Sequence, residues 1–517
     1  VKNVEYIKGL ATNEQYEIKE YFREYLKNCI GITYDSEAND NLMKTFGKGH
    51  GKEDQRKKWI STLTDETYLP RKPGENITIS EFLNTDHLSY MYEANYRAIP
   101  SIIDGLKPSQ RKVLYGLFKM KNSGTKFSKV FQLCGQIANN SNYHHGDSSL
   151  NEVIFKMAQD YPGANNICLL NSSGFFGSRR QLGKDHGAAR YVSARLSDVS
   201  RLIYPEEDDK LLRLRIEDNE TVEPIYYVPI IPLILVNGAN GIGNGWKTTI
   251  PEFDIRNIVD KIKNYGKKIK LLPKIENWNG KYEIENSKII YSGIFENKGT
   301  NLVITELPHT LAIDKFEDLL KDFIVNEKFI ESFVNKNTSD INSVHYEIKL
   351  KEPLSNEQII KEFKLSDSVS MTSMVGFNKE YSIRKYNSIE DIFNEWYEVR
   401  KDLYIKRKEM HELELEQVMK VLDNKARFIK MIVENELKIM KRKKVDIEKD
   451  LEKHSFDKVN DSFDYLLSLP VSTLTIEKYN ELMKKLDNAR IELNEYRDKT
   501  IYDIWNEELD NLAEELG

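Results

Sequence analysis

The stretch of sequence that decides the fold is Arg97-Ala-Ile-Pro-Ser-Ile-Ile-Asp-Gly-Leu-Lys-Pro-Ser-Gln-Arg-Lys112. Within it, Pro108 predicts the first turn of a helix, because a proline there leaves no N–H unbonded and its φ already suits a helix. The apolar residues that follow fall on one face of that helix: Val113, Leu114, Leu117 and Phe118. The segment therefore predicts a buried helix directly after a charged loop.

Two more amphipathic helices are expected downstream. The first covers residues 128–140 and turns four side chains inward: Val130, Leu133, Cys134 and Ile137. The second begins near Asp147, after Tyr143-His-His-Gly146, and buries Leu150, Val153, Ile154 and Met157. Three short helices with tight turns, followed by short extended runs, are typical of a helix-turn-helix with a wing.

The same region is rich in cations. Between residues 97 and 129 the acidic residue Asp104 stands against eight basic ones: Arg97, Lys107, Arg111, Lys112, Lys119, Lys121, Lys126 and Lys129. Such a face predicts contacts with nucleic-acid phosphates. The alternative is a solvated basic face without a partner.

A tyrosine stands at the end of Gly183-Lys-Asp-His-Gly-Ala-Ala-Arg-Tyr191. A phenol with a pKa of about 10 is a poor nucleophile at neutral pH, so it needs neighbouring cations that favour the phenolate. Around Tyr191 the cations outnumber Asp185 and Asp198: Arg179, Arg180, Lys184, Arg190, Arg195 and Arg201. This predicts a tyrosine that meets a phosphate. Because the chain has 28 tyrosines, an ordinary core or interface ring is the alternative.

The paired histidines His144 and His145 have two interpretations. They could bind a metal, but no third ligand stands at helical or hairpin spacing. We favour a histidine that donates a proton or hydrogen bond near a phosphate. The helix that starts near Asp147 would add the positive end of its dipole.

A glycine-rich stretch follows an apolar run between residues 228 and 246. We expect the run to be a strand that enters a turn with Gly241, Gly243 and Gly245. The glycines partly match a dinucleotide-binding fingerprint, but no amphipathic helix follows them. A turn that approaches a ligand closely and displays Ile242 at its tip fits better.

The second half of the chain predicts an α/β unit and then a long helical arm. Residues 250–385 alternate strands at 302–304, 343–350 and 370–377 with helices at 313–323 and 356–363. From Ser388, which forms a capping box with Asp391, a coiled-coil seam is expected: Ile389, Ile392, Trp396, Val399, Leu403, Met410 and Leu413. Helix is expected to continue to residue 452, with a small globular knot at 463–469 and a returning antiparallel helix over 476–496. This arrangement favours dimerisation.

Composition bounds these interpretations. A chain of 517 residues suggests three or four domains, and it has no apolar run of the ~18 residues that a membrane span needs. Three scattered cysteines indicate a reducing compartment. The net charge of −6 argues against wholesale nucleic-acid binding, so any such contact must be local. Because the chain opens at Val1 without Met, we expect it to be part of a longer protein.

Six motifs, in this order along the chain, resemble the DNA breakage-reunion core of type IIA DNA topoisomerases: Arg97 to Arg111, Tyr143-His-His-Gly146, Gly183-Lys-Asp to Ala-Ala-Arg-Tyr191, Glu223-Pro with Pro229-Ile-Ile-Pro232, Asn237-Gly-Ala-x-Gly-Ile-Gly-x-Gly-Trp246 and Phe463-Asp-Tyr-Leu-Leu467. The resemblance is to the eukaryotic single-chain form, which includes enzymes of large DNA viruses. It implies a multidomain α+β fold. The expected domains are the end of a topoisomerase-primase (toprim) domain over 1–62, a winged-helix domain over 63–232, an α/β tower over 233–386, and an antiparallel coiled coil with a small globular C-gate over 387–517.

The resemblance also implies roles for individual residues. Tyr191 would attack a DNA phosphorus to give a 5′-phosphotyrosine, and Arg190 and His145 would stabilise the phosphoryl oxygens. Ile242 would wedge between base steps and bend the duplex. The other implied DNA-binding residues are Arg97, Asp104, which would orient part of the group, Lys107, Arg111, Lys112 and Lys184.

The implied cofactors are Mg²⁺, held by toprim carboxylates, and ATP, held by an N-terminal domain. The sequence contains no DxDxD cluster, so this chain alone should bind and bend DNA but cleave it poorly. The implied partners are two DNA duplexes and a second copy of the chain, with no membrane; the compartment would be the nucleus or a viral factory. The alternative is an architectural winged-helix dimer that bends DNA without cutting it.

Overall fold

The computed structural model describes residues 15–49, 51–63, 74–120, 126–217, 220–338 and 342–517. The chain separates into two compact units. The first comprises the chain to Glu206, Leu212–Val399 and Glu515–Gly517; the second comprises Glu207–Leu211 and Arg400–Glu514. The fold mixes helices with small, mostly antiparallel sheets. The expected division into four domains stays a prediction.

The first unit opens with short helices around a two-stranded parallel pairing. The helices are Gln15–Arg23, Tyr25–Asn28, Ala38–Phe46, Lys52–Ile60, Ile79–Phe82 and Leu88–Ala98, with a π-helical turn at Leu83–His87. The strands are Gly31–Thr33 and Asn76–Thr78. Trp59 and Ile60 pack against Leu88 and Met91, so helix Lys52–Ile60 is held against helix Leu88–Ala98.

Three helices then form as the apolar pattern predicts: Pro108–Phe118, Val130–Ser141 and Asp147–Ala158. Their inward residues Leu114, Leu117, Ile137 and Ile154 are fully buried. Gly116 allows the close approach of the first two helices, because a Cβ there would lie 3.0 Å from the Cα of Ile137.

A three-stranded antiparallel sheet follows the helices, with Ser193–Leu196 between Ser128–Lys129 and Leu170–Ser173. Ser193 lies opposite both Lys129 and Ser173. This register brings the residues just before Ser193 to the start of helix Val130–Ser141. Tyr191 therefore stands at the edge of a well-packed helical core.

The elements that follow include two hairpins. Helix Asp198–Ile203 and the 3₁₀ helix Glu206–Leu211 precede the hairpin Leu214–Glu217 with Glu220–Pro224. The apolar run after Val228 was expected to be a strand, and this prediction is wrong: it forms the short helix Leu233–Val236. Pro232 is the cause, because it lacks a ladder N–H and precedes the first helical turn. The second hairpin pairs Ala239–Ile242 with Lys247–Ile250.

Residues 255–386 contain helices Ile255–Lys263, Ile313–Val325 and Asn356–Glu362. One sheet has the strand order Lys281–Glu285, Lys288–Ser292, Ser366–Ser370, and another has the order Ile294–Lys298, Asn301–Glu306, Tyr346–Leu350, Ile330–Asn335. The strand expected at 370–377 is split by a 3₁₀ turn, and Met374–Phe377 pairs with Ile383–Tyr386. Phe316, Leu320 and Ile359 pack the helices onto the four-stranded sheet.

A helix of 45 residues, Ile389–Val433, follows. The Asp391 carboxylate accepts the Ser388 N–H, and the Ser388 hydroxyl accepts the Asp391 N–H, which confirms the capping box. Helix was expected without a break to residue 452. This prediction is wrong, because the helix ends at Val433 and a separate helix, Lys444–Lys453, begins after a turn that contains Asn435 and Lys441 at positive φ.

The second unit also contains helices Asp464–Leu467, Ile476–Asp498 and Ile501–Leu516, with a 3₁₀ turn at Val471–Thr473. A small core gathers around Phe428, Leu451, Phe463 and Leu466. Two sets of contacts show that helix Ile476–Asp498 runs antiparallel to the long helix: Leu482 with Ala426 and Ile429, and Arg497 with Glu412 and Glu416. The coiled-coil assignment stays a prediction.

Candidate active site and nucleic-acid interface

Tyr191 presents its ring to solvent on a backbone that is tightly held. The side chain is 71% exposed, which excludes the core ring considered as an alternative. Its N–H donates to Ala188 at 2.8 Å, and its carbonyl accepts the Lys129 ammonium at 2.7 Å. On either side, Ala189 and Val192 accept the N–H groups of Phe131 and Val130, at 3.1 and 3.0 Å. The phenol is thus fixed in position but open to a ligand.

The tyrosine loop, residues 174–192, is held from within by a buried amide. Gln159 donates from Nε2 to the carbonyls of Phe176 and Gly183, both at 2.9 Å. Gly183 has φ +79°, and a Cβ there would lie 2.4 Å from Gln159. The loop therefore requires glycine at this position. Gln159 is a site-supporting residue that the sequence pattern did not identify.

His186 joins the same loop to helix Asp147–Ala158. Its ring stacks on Phe155 with centroids 3.8 Å apart. Its Nε2 lies 3.1 Å from a Glu152 carboxylate oxygen, and its Nδ1 lies 3.0 Å from the Gly187 carbonyl. Because that helix directly follows His145, this contact links the tyrosine loop to the second predicted catalytic segment.

The positive field expected around Tyr191 is smaller than the local charge count indicated. Arg179 is buried against Glu306 at 2.6 Å, and Arg180 pairs with Asp314 at 2.7 Å. Both acids come from far along the chain, where a local count does not look. The cations that remain exposed are Lys184 and Arg190, and neither forms an ion pair within the described ranges. The Arg190 guanidinium lies 5.6 Å from the centre of the Tyr191 ring.

His145 and Arg97 form a second exposed group. Partial burial, and then the positive charge of Arg97, lower the pKa of His145 below its usual value. The imidazole is therefore neutral at pH 7 and can donate one hydrogen bond. Its ring meets the edge of Tyr143 at 5.3 Å, just before helix Asp147–Ala158.

Three predicted DNA ligands are inside the protein. Asp104 and Arg111 are fully buried and paired at 2.7 Å, and Asp104 also accepts the N–H groups of Leu106 and Tyr227, both at 3.0 Å. A DNA phosphate cannot reach this pair. The prediction that Asp104 and Arg111 bind DNA is therefore wrong for this structure, although the expected orienting contact between them is present.

Lys112 is the third of these residues. Its ammonium lies 2.7 Å from Glu217, 2.8 Å from Glu223 and 2.8 Å from the Ser141 carbonyl. All three ammonium protons are thus used inside the protein. The prediction that Lys112 binds DNA is also wrong here, because two glutamates from the hairpin after residue 213 neutralise it.

Lys107 and Ile242 are brought together, although they are distant in sequence. The Lys107 ammonium donates to the Asn240 carbonyl at 2.9 Å. Ile242 is 80% exposed at the end of strand Ala239–Ile242, as the glycine-rich pattern predicted. A basic residue and a protruding apolar residue therefore share one hairpin surface.

Within the described residues, no group of three or more His, Cys, Asp and Glu side chains is placed to hold a metal ion. His144 and His145 thus lack a third metal ligand there. In the same part of the chain, no helix is long and apolar enough to cross a membrane.

Comparisons with known proteins agree with this site. A family model described as DNA gyrase/topoisomerase IV matches residues 97–510, and one described as the C-terminal associated domain of TOPRIM matches residues 2–95. DNA topoisomerase 2 of Candida albicans is 33% identical over 99% of this chain and 39% of its own length. The mitochondrial DNA topoisomerase 2 of Dictyostelium discoideum is 35% identical over 99% of this chain and 41% of its own. The chain thus spans about two fifths of the length of these curated relatives.

A solved structure is similar over almost the whole chain. It is the crystal structure of the Plasmodium falciparum topoisomerase II DNA-binding, cleavage and re-ligation domain, with a TM-score of 0.83 and 31% sequence identity. The match covers 99% of this chain and 74% of that one.

Proposed function

This chain belongs to the type IIA DNA topoisomerase family, and on that premise we propose that it is the DNA cleavage and religation core of an ATP-dependent type II topoisomerase. The observation that carries the proposal is the Tyr191 ring, 71% exposed beside Arg190 on a backbone held at both flanks. A nucleophile must be accessible and fixed in position, and this side chain is both.

The proposed reaction exchanges one phosphodiester for another. The Tyr191 hydroxyl oxygen bonds to a backbone phosphorus, and the bond from phosphorus to the 3′ oxygen breaks. The 5′ end stays on tyrosine, the phenol loses its proton and the departing 3′ oxygen gains one. Because a phosphodiester is present on both sides of the reaction, it is close to thermoneutral and reverses without fuel.

The neighbouring exposed residues suit the charge that develops. Arg190 supplies a guanidinium to the crowded phosphoryl oxygens, and neutral His145 supplies a hydrogen bond. Arg97, Lys107 and Lys184 hold the flanking DNA backbone. Interactions of this kind position the duplex without reading its sequence.

We also propose that Ile242 wedges into the bound duplex. An apolar side chain that enters a base step costs about a few kcal/mol of unstacking, which wider contact along the bent DNA offsets. The three helices and three-stranded sheet would act as a winged helix, residues 255–386 as a tower, and the long antiparallel helices as a coiled coil with a C-gate. Two copies would cut opposite strands of one duplex and pass a second through.

Magnesium does not fit the described residues, since no suitable group of ligands converges there. We propose that carboxylates of a toprim domain hold it and that an N-terminal domain holds ATP, both outside this chain. The compartment, the nucleus or a viral factory, stays a prediction.

Changing Tyr191 to Phe in the full-length enzyme tests the proposal. We expect no covalent complex after denaturation with SDS and a loss of relaxation on the order of 10⁴-fold or more, with DNA affinity retained. Nuclease digestion of the trapped wild-type complex should leave nucleotide on the peptide that contains residue 191. Unchanged relaxation by the variant would instead favour the architectural DNA-bending dimer.

A further inference from the structure

The glycine hairpin, Ala239–Ile250, carries Ile242 and turns through Gly243, Asn244 and Gly245. Glycine-rich turns are conformationally loose by themselves, whereas a wedge must enter DNA at one angle and depth. Something outside the hairpin must therefore hold the turn.

Asn95 is in contact with that turn. It lies on helix Leu88–Ala98 and is fully buried. Its Oδ1 accepts the Asn244 N–H at 2.6 Å, and its Nδ2 donates to the Asn244 carbonyl at 3.2 Å. One side-chain amide thus bonds both backbone polar groups of the same turn residue, as a neighbouring strand would.

Two glycines are shaped to this contact. A Cβ at Gly243 would lie 2.2 Å from Asn95 Oδ1, and a Cβ at Gly241 would lie 2.2 Å from the Ala98 carbonyl oxygen. The backbone of Gly243 is outside the left-handed region, so its conformation alone would accept alanine. The contact with Asn95 is what excludes a side chain there.

The same helix carries Arg97, which is exposed. Helix Leu88–Ala98 therefore holds a phosphate-binding cation and, through Asn95 and Ala98, the backbone on both sides of Ile242. The spacing between a backbone anchor and the wedge is fixed by a single rigid element.

We propose that Asn95 is a positioning residue for DNA bending: its amide locks the turn after Ile242, so that the wedge meets a base step in one orientation. This inference rests on the proposed wedge function of Ile242. It assigns Asn95 no contact with DNA.

A double-mutant cycle in the full-length enzyme tests it, with DNA bending read by energy transfer between dyes on the two ends of a duplex. Asn95→Ala is expected to lower the ratio of bent to straight bound DNA about ten-fold, the effect of losing two buried hydrogen bonds. Gly243→Ala should do the same, because its methyl group displaces the Asn95 amide. The double variant should bend DNA no worse than Asn95→Ala alone, since the smaller side chain leaves room for the methyl.

Asn166→Ala is the matched control. Asn166 also bonds backbone groups through its amide, to Val236, Lys274 and Glu276, but it does not contact the glycine hairpin. We expect it to lower the melting temperature and leave the bend unchanged. If Asn95→Ala does not fold, Gly243→Ala decides the question: a lost bend at an unchanged melting temperature supports the proposal, and a retained bend overturns it.

Ile242→Ala separates this inference from the function on which it rests. If Ile242→Ala bends DNA as the wild type does, the wedge function itself fails. If Ile242→Ala loses the bend while folded Asn95→Ala keeps it, Asn95 is only a structural amide and the inference is overturned.

Discussion

Two segments of this chain have similar local charge but place it very differently. In the loop and helix that include Arg111 and Lys112, the cations point inward and bond to acids. In the tyrosine loop, Lys184 and Arg190 remain in solvent beside an exposed phenol. The difference lies in whether distant acids arrive: Glu217 and Glu223 come from a hairpin about a hundred residues further along.

The comparison shows which property each set of charges controls. Removing one partner of a buried pair leaves an uncompensated charge in a low dielectric, so it lowers stability. Removing an exposed cation costs the fold little and should affect the ligand that the cation meets. The same kind of substitution should therefore change stability in one segment and chemistry in the other.

The strongest test of the buried side is Asp104→Ala. It leaves the Arg111 guanidinium and the Leu106 and Tyr227 N–H groups without their acceptor, so we expect the free energy of unfolding to fall by about 3–5 kcal/mol. Chemical denaturation would measure this, with Asp104→Ala combined with Arg111→Met as the control that removes both charges. A loss under about 1 kcal/mol, as for an exposed pair, would contradict the comparison.

The matching test of the exposed side is Arg190→Ala. We expect DNA cleavage by the full-length enzyme to slow by about 10²–10³-fold, the usual effect of removing one group that stabilises developing charge. The melting temperature should stay within about a degree of wild type, since an exposed residue without an ion pair contributes little to stability. Arg190→Lys is the control for charge without the planar guanidinium. A large drop in melting temperature with normal cleavage would reverse the assignment.

How far the sequence predicted this division depends on the distance over which each feature is set. Pro108 and the apolar face after it predicted helix Pro108–Phe118, and the glycines predicted an exposed Ile242, because these features are local. The inward turn of Arg111 and Lys112 was missed because it depends on Tyr227, Glu217 and Glu223. Such pairing belongs to tertiary structure, which a local charge count does not contain.

Errors in secondary structure have a similar origin. The apolar run before Asn237 matches a buried strand as well as a buried helix, and Pro232 decided between them. The break at Val433 leaves a periodic pattern almost unchanged, so periodicity alone did not reveal it. Gln159 and His186, which support the tyrosine loop, carry no motif; only their contacts identify them.

Glu252 sharpens the comparison because it is a largely buried carboxyl that forms no ion pair in the described parts of the chain. Burial raises its pKa to about 7, so the folded state binds a proton that the unfolded state releases above about pH 4.5. Stability from this group is complete below that pH and is lost as the pH rises toward 7. We expect Glu252→Gln to remove about 2 kcal/mol of this pH dependence, measured by unfolding between pH 5 and 8. An unchanged pH profile would contradict the assignment.

The smallest effect is expected for Lys184→Gln, at an exposed cation seven residues before the nucleophile. If Lys184 meets one phosphate, its loss should weaken DNA binding by about the same factor for every sequence and reduce the slope of log K against log salt by about 1. Fluorescence anisotropy over a range of salt concentrations measures both quantities. Lys478→Gln, which removes a surface cation paired with Glu481 in the other unit, is the matched control and should leave the slope unchanged. If the two variants have the same slope as wild type, exposure near Tyr191 is not sufficient to identify a DNA contact.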